Sequence, residues 1–202
     1  MCRKKKAQIN EIEVEFITIC TKGEDPQPAG EPRELDQLFS KATEKSRLSD
    51  LVNAIDDDGD QPLHIAAECG NAEVVEWILS KSELDAKVNT SNGNNLTPLF
   101  LACLKGYVGA EGMGARTDSV KHKRLRIARL LVEKGANVNQ VREVVNMTPL
   151  HWAAFHDDAD LVRFLLAKGA RQMESAAGSM PVDVAGFMGN KKVLKVFMEY
   201  AA

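Results

Sequence analysis

Residues 148–154 read Thr-Pro-Leu-His-Trp-Ala-Ala, and the chain repeats this order of residue types. Three further copies keep a proline followed by an apolar residue. They read QPLHIAA at 61–67, TPLFLAC at 97–103 and MPVDVAG at 180–186. Self-similarity of this kind along a chain is the signature of a repeat architecture. The sequence therefore predicts an array of similar structural units.

Each copy predicts the start of a helix. Proline has no N–H to lose in the first helical turn and its φ suits that turn, and a preceding threonine is a natural N-cap. An apolar run with helical spacing follows each copy, directly or after an insertion, as in LVRFLL at 161–166. Two of these runs end in Lys-Gly-Ala, at 134–136 and 168–170, where glycine can stop the helix. The repeated unit is thus predicted to be a pair of helices.

This pattern resembles the ankyrin repeat, which has a period of about 33 residues and a Thr-Pro-Leu-His-x-Ala signature. The resemblance covers residues 30–202 and implies an all-α solenoid of stacked helix pairs with β-hairpin fingers. The stretch Gly-Ala-Asn-Val-Asn at 135–139 matches the turn that leads into a finger. We count about five repeats, the first degenerate and the last a cap, because terminal repeats expose one face. Residues 107–124 lengthen one repeat and are predicted to be an insertion between its helices.

Composition limits the class of protein. The 202 residues carry a net charge of −3, so attraction to nucleic acid or to an anionic membrane is not expected by default. No apolar run is long enough to span a membrane, and the basic N-terminus lacks the apolar core of a secretory signal. The four cysteines are scattered singly, which argues against zinc and a disulfide framework. We expect a soluble protein of the cytoplasm, or of the nucleus.

Residues 1–29 lie outside the repeats and form an N-terminal extension. Apolar and acidic residues alternate over residues 11–16, and a β-prone run, FITIC, follows at 16–20. This pattern predicts a strand over 11–20, with a linker from Gly23 to Gly30. A strand there could pair two copies as a homodimer or add to the sheet of a partner. Cys2, beside the basic residues 3–6, could also carry a lipid, although otherwise this is a disordered tail.

The resemblance also implies where a partner would bind. In the ankyrin pattern, the two residues that follow the paired small residues face the concave groove. Exposed aromatic and methionine side chains in such a groove are typical interface anchors. The alternative is that Phe155 or Phe187 is covered by a neighbouring helix or by residues 1–29. The candidate groove residues are Glu68, Cys69, Leu104, Lys105, Phe155, His156, Phe187 and Met188.

Charge is unevenly distributed along the chain. Residues 51–90 contain nine acidic and two basic residues, whereas residues 121–142 contain seven basic and one acidic. Such an arrangement can steer a charged partner, or it can simply solvate helix faces and loops. A second possibility is that the basic stretch binds an acidic or phosphorylated ligand, or RNA. The residues that carry these patches are Asp56, Asp57, Asp58 and Asp60, and Lys121, Lys123, Arg124 and Arg126.

Nothing in the sequence points to catalysis. The aspartate run lacks the closing glutamate of a calcium-binding loop, and the glycines of the insertion lack the Gly-Lys-Ser/Thr of a phosphate-binding loop. His64 and His151 occupy the signature position where ankyrin repeats use imidazole to bond backbone turns. His156 is followed by two aspartates, but the repeat places no nucleophile beside it. The expected function is non-catalytic protein recognition, as an adaptor or scaffold, without a cofactor or a bound metal.

Overall fold

The computed structural model describes residues 16–20, 45–81, 85–104 and 118–201. Within them, residues 16–20 form a short helical segment, and longer helices follow in chain order. These helices are α1 (Lys45–Val52), α2 (Pro62–Cys69), α3 (Ala72–Ser80), α4 (Pro98–Leu104), α5 (Asp118–Glu133), α6 (Pro149–Phe155), α7 (Ala159–Ala167), α8 (Pro181–Phe187) and α9 (Lys191–Ala201). The prediction of an all-α fold is confirmed.

The helices form two rows. The inner row contains α2, α4, α6 and α8, and each of these helices packs against the next member of the row. The outer row contains α3, α5, α7 and α9, which pack in the same way, and each inner helix also packs against the outer helix that follows it. Helix α1 packs against α2 at the start of the array. This arrangement is the predicted solenoid of helix pairs.

Small and aliphatic residues fill the space between the rows. Ala66, Ala67, Ala153 and Ala154 are fully buried at the ends of the signature copies. A side chain of this size lets neighbouring helices approach closely, so the layers need few aromatic rings. The low aromatic content of the chain, 5%, follows from this mode of packing.

The signature histidines tie each inner helix to the next loop. The Nδ1 atom of His64 accepts a hydrogen bond from the backbone N–H of Gln61 at 3.1 Å, and its Nε2 donates to the carbonyl of Thr90 at 2.9 Å. His151 repeats the arrangement, with Nδ1 accepting from the N–H of Thr148 at 3.0 Å and Nε2 donating to Ser179 at 3.1 Å. Both imidazoles are therefore structural, as the resemblance implied.

Four finger loops join the repeats. They are finger 1 (residues 53–61), finger 2 (described over 85–97), finger 3 (134–148) and finger 4 (168–180). They consist mainly of turns, and within the described residues the β-pairing of the fingers is one isolated bridge between Arg142 and Met147. The fingers are thus predominantly turns, with little hairpin character.

Asparagine side chains connect neighbouring fingers. Asn89 donates to the carbonyl of Gly135 at 2.9 Å and accepts from the N–H of Asn137 at 2.8 Å. One repeat further on, Asn139 makes the same pair of bonds to Gly169 and Arg171, at 3.0 and 2.8 Å. We call these bonds the asparagine stitches. They hold successive repeats in register.

The predicted strand over 11–20 is wrong for its second half, since residues 16–20 are helical; residues 11–15 lie outside the described part of the chain. Phe16, Ile19 and Cys20 are buried, and their spacing of three and four residues is that of one helix face. The Phe16 ring lies 6.3 Å from that of Trp77, and Asn71 donates to the carbonyl of Ile19 at 3.1 Å. Burial against α3 therefore overrides local β-propensity. Residues 16–20 cannot pair as a strand in this state.

The predicted insertion is only partly described. Residues 105–117 lie outside the described residues, whereas 118–124 form the first turns of α5. That helix has 16 residues, against nine in both α3 and α7. The end of the predicted insertion is therefore an extension of an outer helix. Among the described helices, none combines the length and the apolar character needed to cross a membrane.

Candidate functional site

The C-terminal ends of the inner helices carry the first of the two predicted groove positions. Its occupants are Glu68 on α2, Leu104 on α4, Phe155 on α6 and Phe187 on α8. Glu68, Leu104 and Phe155 are half-buried, while Phe187 has 93% of its surface exposed. The row therefore changes from a carboxylate at one end of the array to an exposed aromatic ring at the other. We call this surface the groove row.

A small apolar cluster, which we call the apolar floor, lies beside the middle of the groove row. Leu96, Phe100 and Leu101 form a buried cluster separate from the main core, and the half-buried Leu104 and Trp152 pack against it. The Trp152 ring then meets the ring of Phe155 edge-on, with centroids 5.6 Å apart. Apolar packing thus continues from finger 2 across α4 to α6.

The second groove position is more varied. Cys69 is exposed and Met188 is half-buried, whereas Lys105 lies outside the described residues. His156 is only 8% exposed, and its Nε2 donates to the carbonyl of Leu104 at 2.9 Å. The prediction that His156 contacts a partner is therefore corrected. Its ring caps α4 and joins that helix to α6.

The predicted acidic patch is present on finger 1. Asp56, Asp57 and Asp58 are exposed, and the Asp56 carboxylate accepts from the N–H groups of Asp58 and Asp60 at 2.9 and 2.8 Å. Asp60 is less exposed and accepts from the Asn92 side chain at 2.7 Å. Burial raises the pKa of Asp60, an effect to which the carboxylates of Asp56 and Glu68 add. Finger 1 and the end of α2 therefore share one region of negative potential.

The predicted basic patch makes several contacts within the molecule. Arg124 is fully buried, which contradicts its predicted place at the surface. Lys121 donates to the carbonyl of Asp157 at 2.7 Å, and Arg126 pairs with Glu76 at 2.8 Å. The guanidinium of Arg129 lies over the Phe164 ring, 5.6 Å from its centroid. Lys121 and Lys123 are half-buried, while Arg126 and Arg129 are exposed, so only Arg124 leaves the predicted surface patch.

Burial shifts the pKa values of two thiols and two imidazoles among the described residues. Burial, with a smaller effect of Cys69, raises the pKa of the Cys20 thiol to about 12. Burial likewise raises the pKa of Cys103 to about 12, so both stay protonated near neutral pH. Burial lowers the pKa of both His64 and His151. The described residues also contain no group of three or more His, Cys, Asp or Glu placed to hold a metal ion.

Trp152 belongs to the groove, which sequence reasoning did not predict. The sequence places it in the core as an apolar repeat residue, but the structure leaves it half-buried beside Phe155. A signal was present, because residues three apart on a helix share a face and Phe155 was already assigned to the groove. Trp77, by contrast, is buried in the core.

The chain matches a family model described as "Ankyrin repeats (3 copies)". The match covers residues 35–142 and, a second time, residues 117–202. Together these segments contain every helix of both rows. The family match and the two-row architecture agree on the repeated unit.

Several known proteins contain similar stretches. The human "Transient receptor potential cation channel subfamily A member 1" is 28% identical over 81% of this chain, and the Drosophila melanogaster protein of the same name is 31% identical over 60%. The "Nuclear factor NF-kappa-B p105 subunit" of Gallus gallus is 24% identical over 72%. This chain spans only 13%, 9% and 13% of these three relatives. The similarity to these three relatives therefore covers a small part of much longer proteins.

Proposed function

Because this chain belongs to the ankyrin-repeat family, whose repeats generally mediate protein–protein interaction, we propose that it is a non-catalytic recognition module that binds a partner segment along the groove row. The fingers lead into the N-terminal ends of the same inner helices and would contact the same segment. The module would act as an adaptor or scaffold in the cytoplasm or nucleus.

The observation that carries this proposal is the exposure of Phe187. An aromatic ring that is 93% exposed gains about 1.5–3 kcal/mol when a partner covers it completely. Met188 follows it, and the edge-packed rings of Trp152 and Phe155 provide further apolar surface on the adjacent inner helix. Clusters of such side chains supply most of the binding energy at protein interfaces.

The first prediction tests the groove with selected peptides. Random peptides of about 24 residues, long enough to reach along the array even as helices, are displayed on phage and selected against the immobilised chain. The recovered peptides are labelled, and their affinities are measured by fluorescence anisotropy. Phe187→Ala should weaken binding at least about tenfold, or about 1.4 kcal/mol. Its unfolding midpoint should stay unchanged, because this side chain has almost no packing to lose.

Met198→Ala provides the matched control. Met198 is also an exposed apolar residue, with 72% of its surface accessible, but it lies on the outer helix α9. Its removal should leave peptide affinity within about twofold, since a distant surface residue shares no contact with the groove. Equal affinity of the Phe187→Ala variant and the unaltered chain would refute recognition at the groove row.

A further inference from the structure

The charges beside the groove row extend the proposed function to the chemistry of the partner segment. We infer that this segment carries a cluster of basic residues and an apolar anchor held about 24–30 Å apart, a span of three inner-helix spacings of about 8–10 Å each. The basic cluster binds finger 1 and Glu68, and the anchor covers Phe187. This inference rests on the proposed function of the groove row.

The acidic end is defined by geometry on finger 1. Asp56 is committed to the backbone of its own turn, and Gly93 of finger 2 donates to the carbonyl of Asp58 at 2.9 Å. These bonds hold the loop while the carboxylates of Asp57 and Asp58 stay exposed. Glu68 lies at the other end of α2, on the groove row itself. A cationic segment that lies across α2 therefore meets negative charge at both ends of this helix.

The apolar end carries no excess of negative charge. Fingers 3 and 4 each contain two basic residues and one acidic residue, and the exposed Lys191 and Lys192 begin α9 just after Met188. The groove row nearby consists of Phe155 and Phe187. A basic partner segment is therefore not attracted to this end, whereas an aromatic, leucine or methionine side chain would be buried. The difference between the two ends gives the segment its polarity.

The distance between the ends limits the partner sequence. Helices α2 and α8 are separated by three contacts along the inner row, α2 with α4, α4 with α6, and α6 with α8. A span of 24–30 Å corresponds to about seven to nine residues of extended chain at about 3.3 Å per residue. The same span corresponds to about 16–20 residues of α-helix at about 1.5 Å per residue. Either spacing between basic cluster and anchor satisfies the inference.

The peptides from the phage selection provide the test. They are measured against a variant that lacks three charges, Asp57→Asn, Asp58→Asn and Glu68→Gln, which are near-isosteric changes outside the Asp56 turn. Affinity should fall at least about fivefold at low salt, and the loss should shrink to below about twofold near 0.5 M salt, where the Debye length is only a few ångströms. The control variant loses three charges from the outer helices, Glu133→Gln, Asp160→Asn and Glu199→Gln. Its affinity should change by less than about twofold.

The results separate the two levels of the proposal. Selected peptides that depend on Phe187 and carry basic residues at one of the two spacings would support both. If binding is weakened by Phe187→Ala but the peptides lack a basic cluster, the inference is overturned. The same holds if the peptides lose equal affinity in both triple variants. In either case the proposed binding at the groove row would still stand. Peptides that do not depend on Phe187 would refute the proposed function itself.

Discussion

Gly59 and Gly93 meet at the tips of the first two fingers. A Cβ on Gly59 would lie 2.8 Å from the nitrogen of Gly93, and a Cβ on Gly93 would lie 2.6 Å from the carbonyl oxygen of Asp58. Gly59 also has a φ of +77°, in the left-handed region that favours glycine. Two independent constraints therefore act on this one residue.

The second prediction separates these constraints by comparing two glycines. Gly178 has a φ of +75° but no atom within 4 Å of its would-be Cβ. Gly178→Ala should lower the free energy of unfolding by about 1–2 kcal/mol, the cost of left-handed backbone alone. Gly59→Ala should cost more, because finger 2 must also move away. Urea unfolding measures both, and equal losses would show that the contact between the fingers contributes nothing.

The third prediction concerns His151, whose pKa burial lowers from the ordinary value of 6.5. Below about pH 6.5 the unfolded chain binds a proton at this position that the folded chain does not, so acid favours unfolding until the folded pKa is reached. Stability should therefore fall as pH decreases from about 7.5 to 5.5. His151→Gln should show a smaller fall in urea midpoint over this interval. A pH dependence of the His151→Gln midpoint identical to that of the unaltered chain would contradict the prediction.

Residue types and spacing predicted the signature histidines correctly but misplaced two other residues. The roles of His64 and His151 follow from one helix and the turn it must bond. The burial of Arg124 depends on how the lengthened α5 lies between α4 and α7, and that of His156 depends on the carbonyl at the end of α4. Helical periodicity predicts which face of a helix a side chain lies on. How deeply that side chain is buried depends on which residues of neighbouring elements pack against it.

At the scale of elements, the short helix at 16–20 completes the core at the start of the array. The fourth prediction is that Phe16→Ala lowers the free energy of unfolding by up to about 3–5 kcal/mol, the usual range for a buried phenylalanine. Trp77 should become more exposed, because the Phe16 ring lies against it, and its emission should shift to longer wavelength. Both effects can be followed in one urea titration monitored by fluorescence.

Ile17→Ala is the control for this element. Ile17 belongs to the same segment but is 36% exposed, so its truncation should cost far less than that of Phe16. If Phe16→Ala left both stability and Trp77 emission unchanged, residues 16–20 would not be part of the folded core in solution.

The failure of the strand prediction has a physical explanation. The alternation over residues 11–16 and the β-branched run at 17–19 both favour a strand locally. The segment FITIC also satisfies a helical stripe through Phe16, Ile19 and Cys20, and a stretch of five residues cannot distinguish the two periods. The deciding factor is the apolar surface of α3, which lies about fifty residues away in sequence. The repeats themselves were predictable because each copy has a proline and apolar residues at the same spacing.

At the scale of the whole molecule, the two rows make each repeat depend on its neighbours. The fifth prediction is that backbone amides in α4, α5 and α6 exchange with solvent most slowly, because their repeats are covered on both sides. Amides near the end of α9 should exchange fastest among the long helices, since one face of the last repeat is exposed there. Hydrogen exchange followed by mass spectrometry measures this gradient. Uniform protection from α2 to α9 would instead indicate a single cooperative unit.

The candidate site was only partly predictable at this scale. The groove row follows from the repeat, and its change from Glu68 to Phe187 can be read from the sequence. The apolar floor at Leu96, Phe100 and Trp152 could not be read in this way, because it joins a finger to two inner helices. The contacts of the basic stretch could not be predicted either, since Glu76, Asp157 and Phe164, which meet Arg126, Lys121 and Arg129, lie on other helices or loops.

The asparagine stitches also determine how the molecule responds to mechanical load. Asn89 and Asn139 each bridge two consecutive repeats with a donor and an acceptor on the same amide group. When the ends of the array are pulled apart, tension reaches the stitches between fingers 2 and 3 and between fingers 3 and 4. A junction that opens loses its own pair of hydrogen bonds and the packing between its neighbouring helices, while the next junction remains closed. The array can therefore extend stepwise, one repeat at a time, as tension rises.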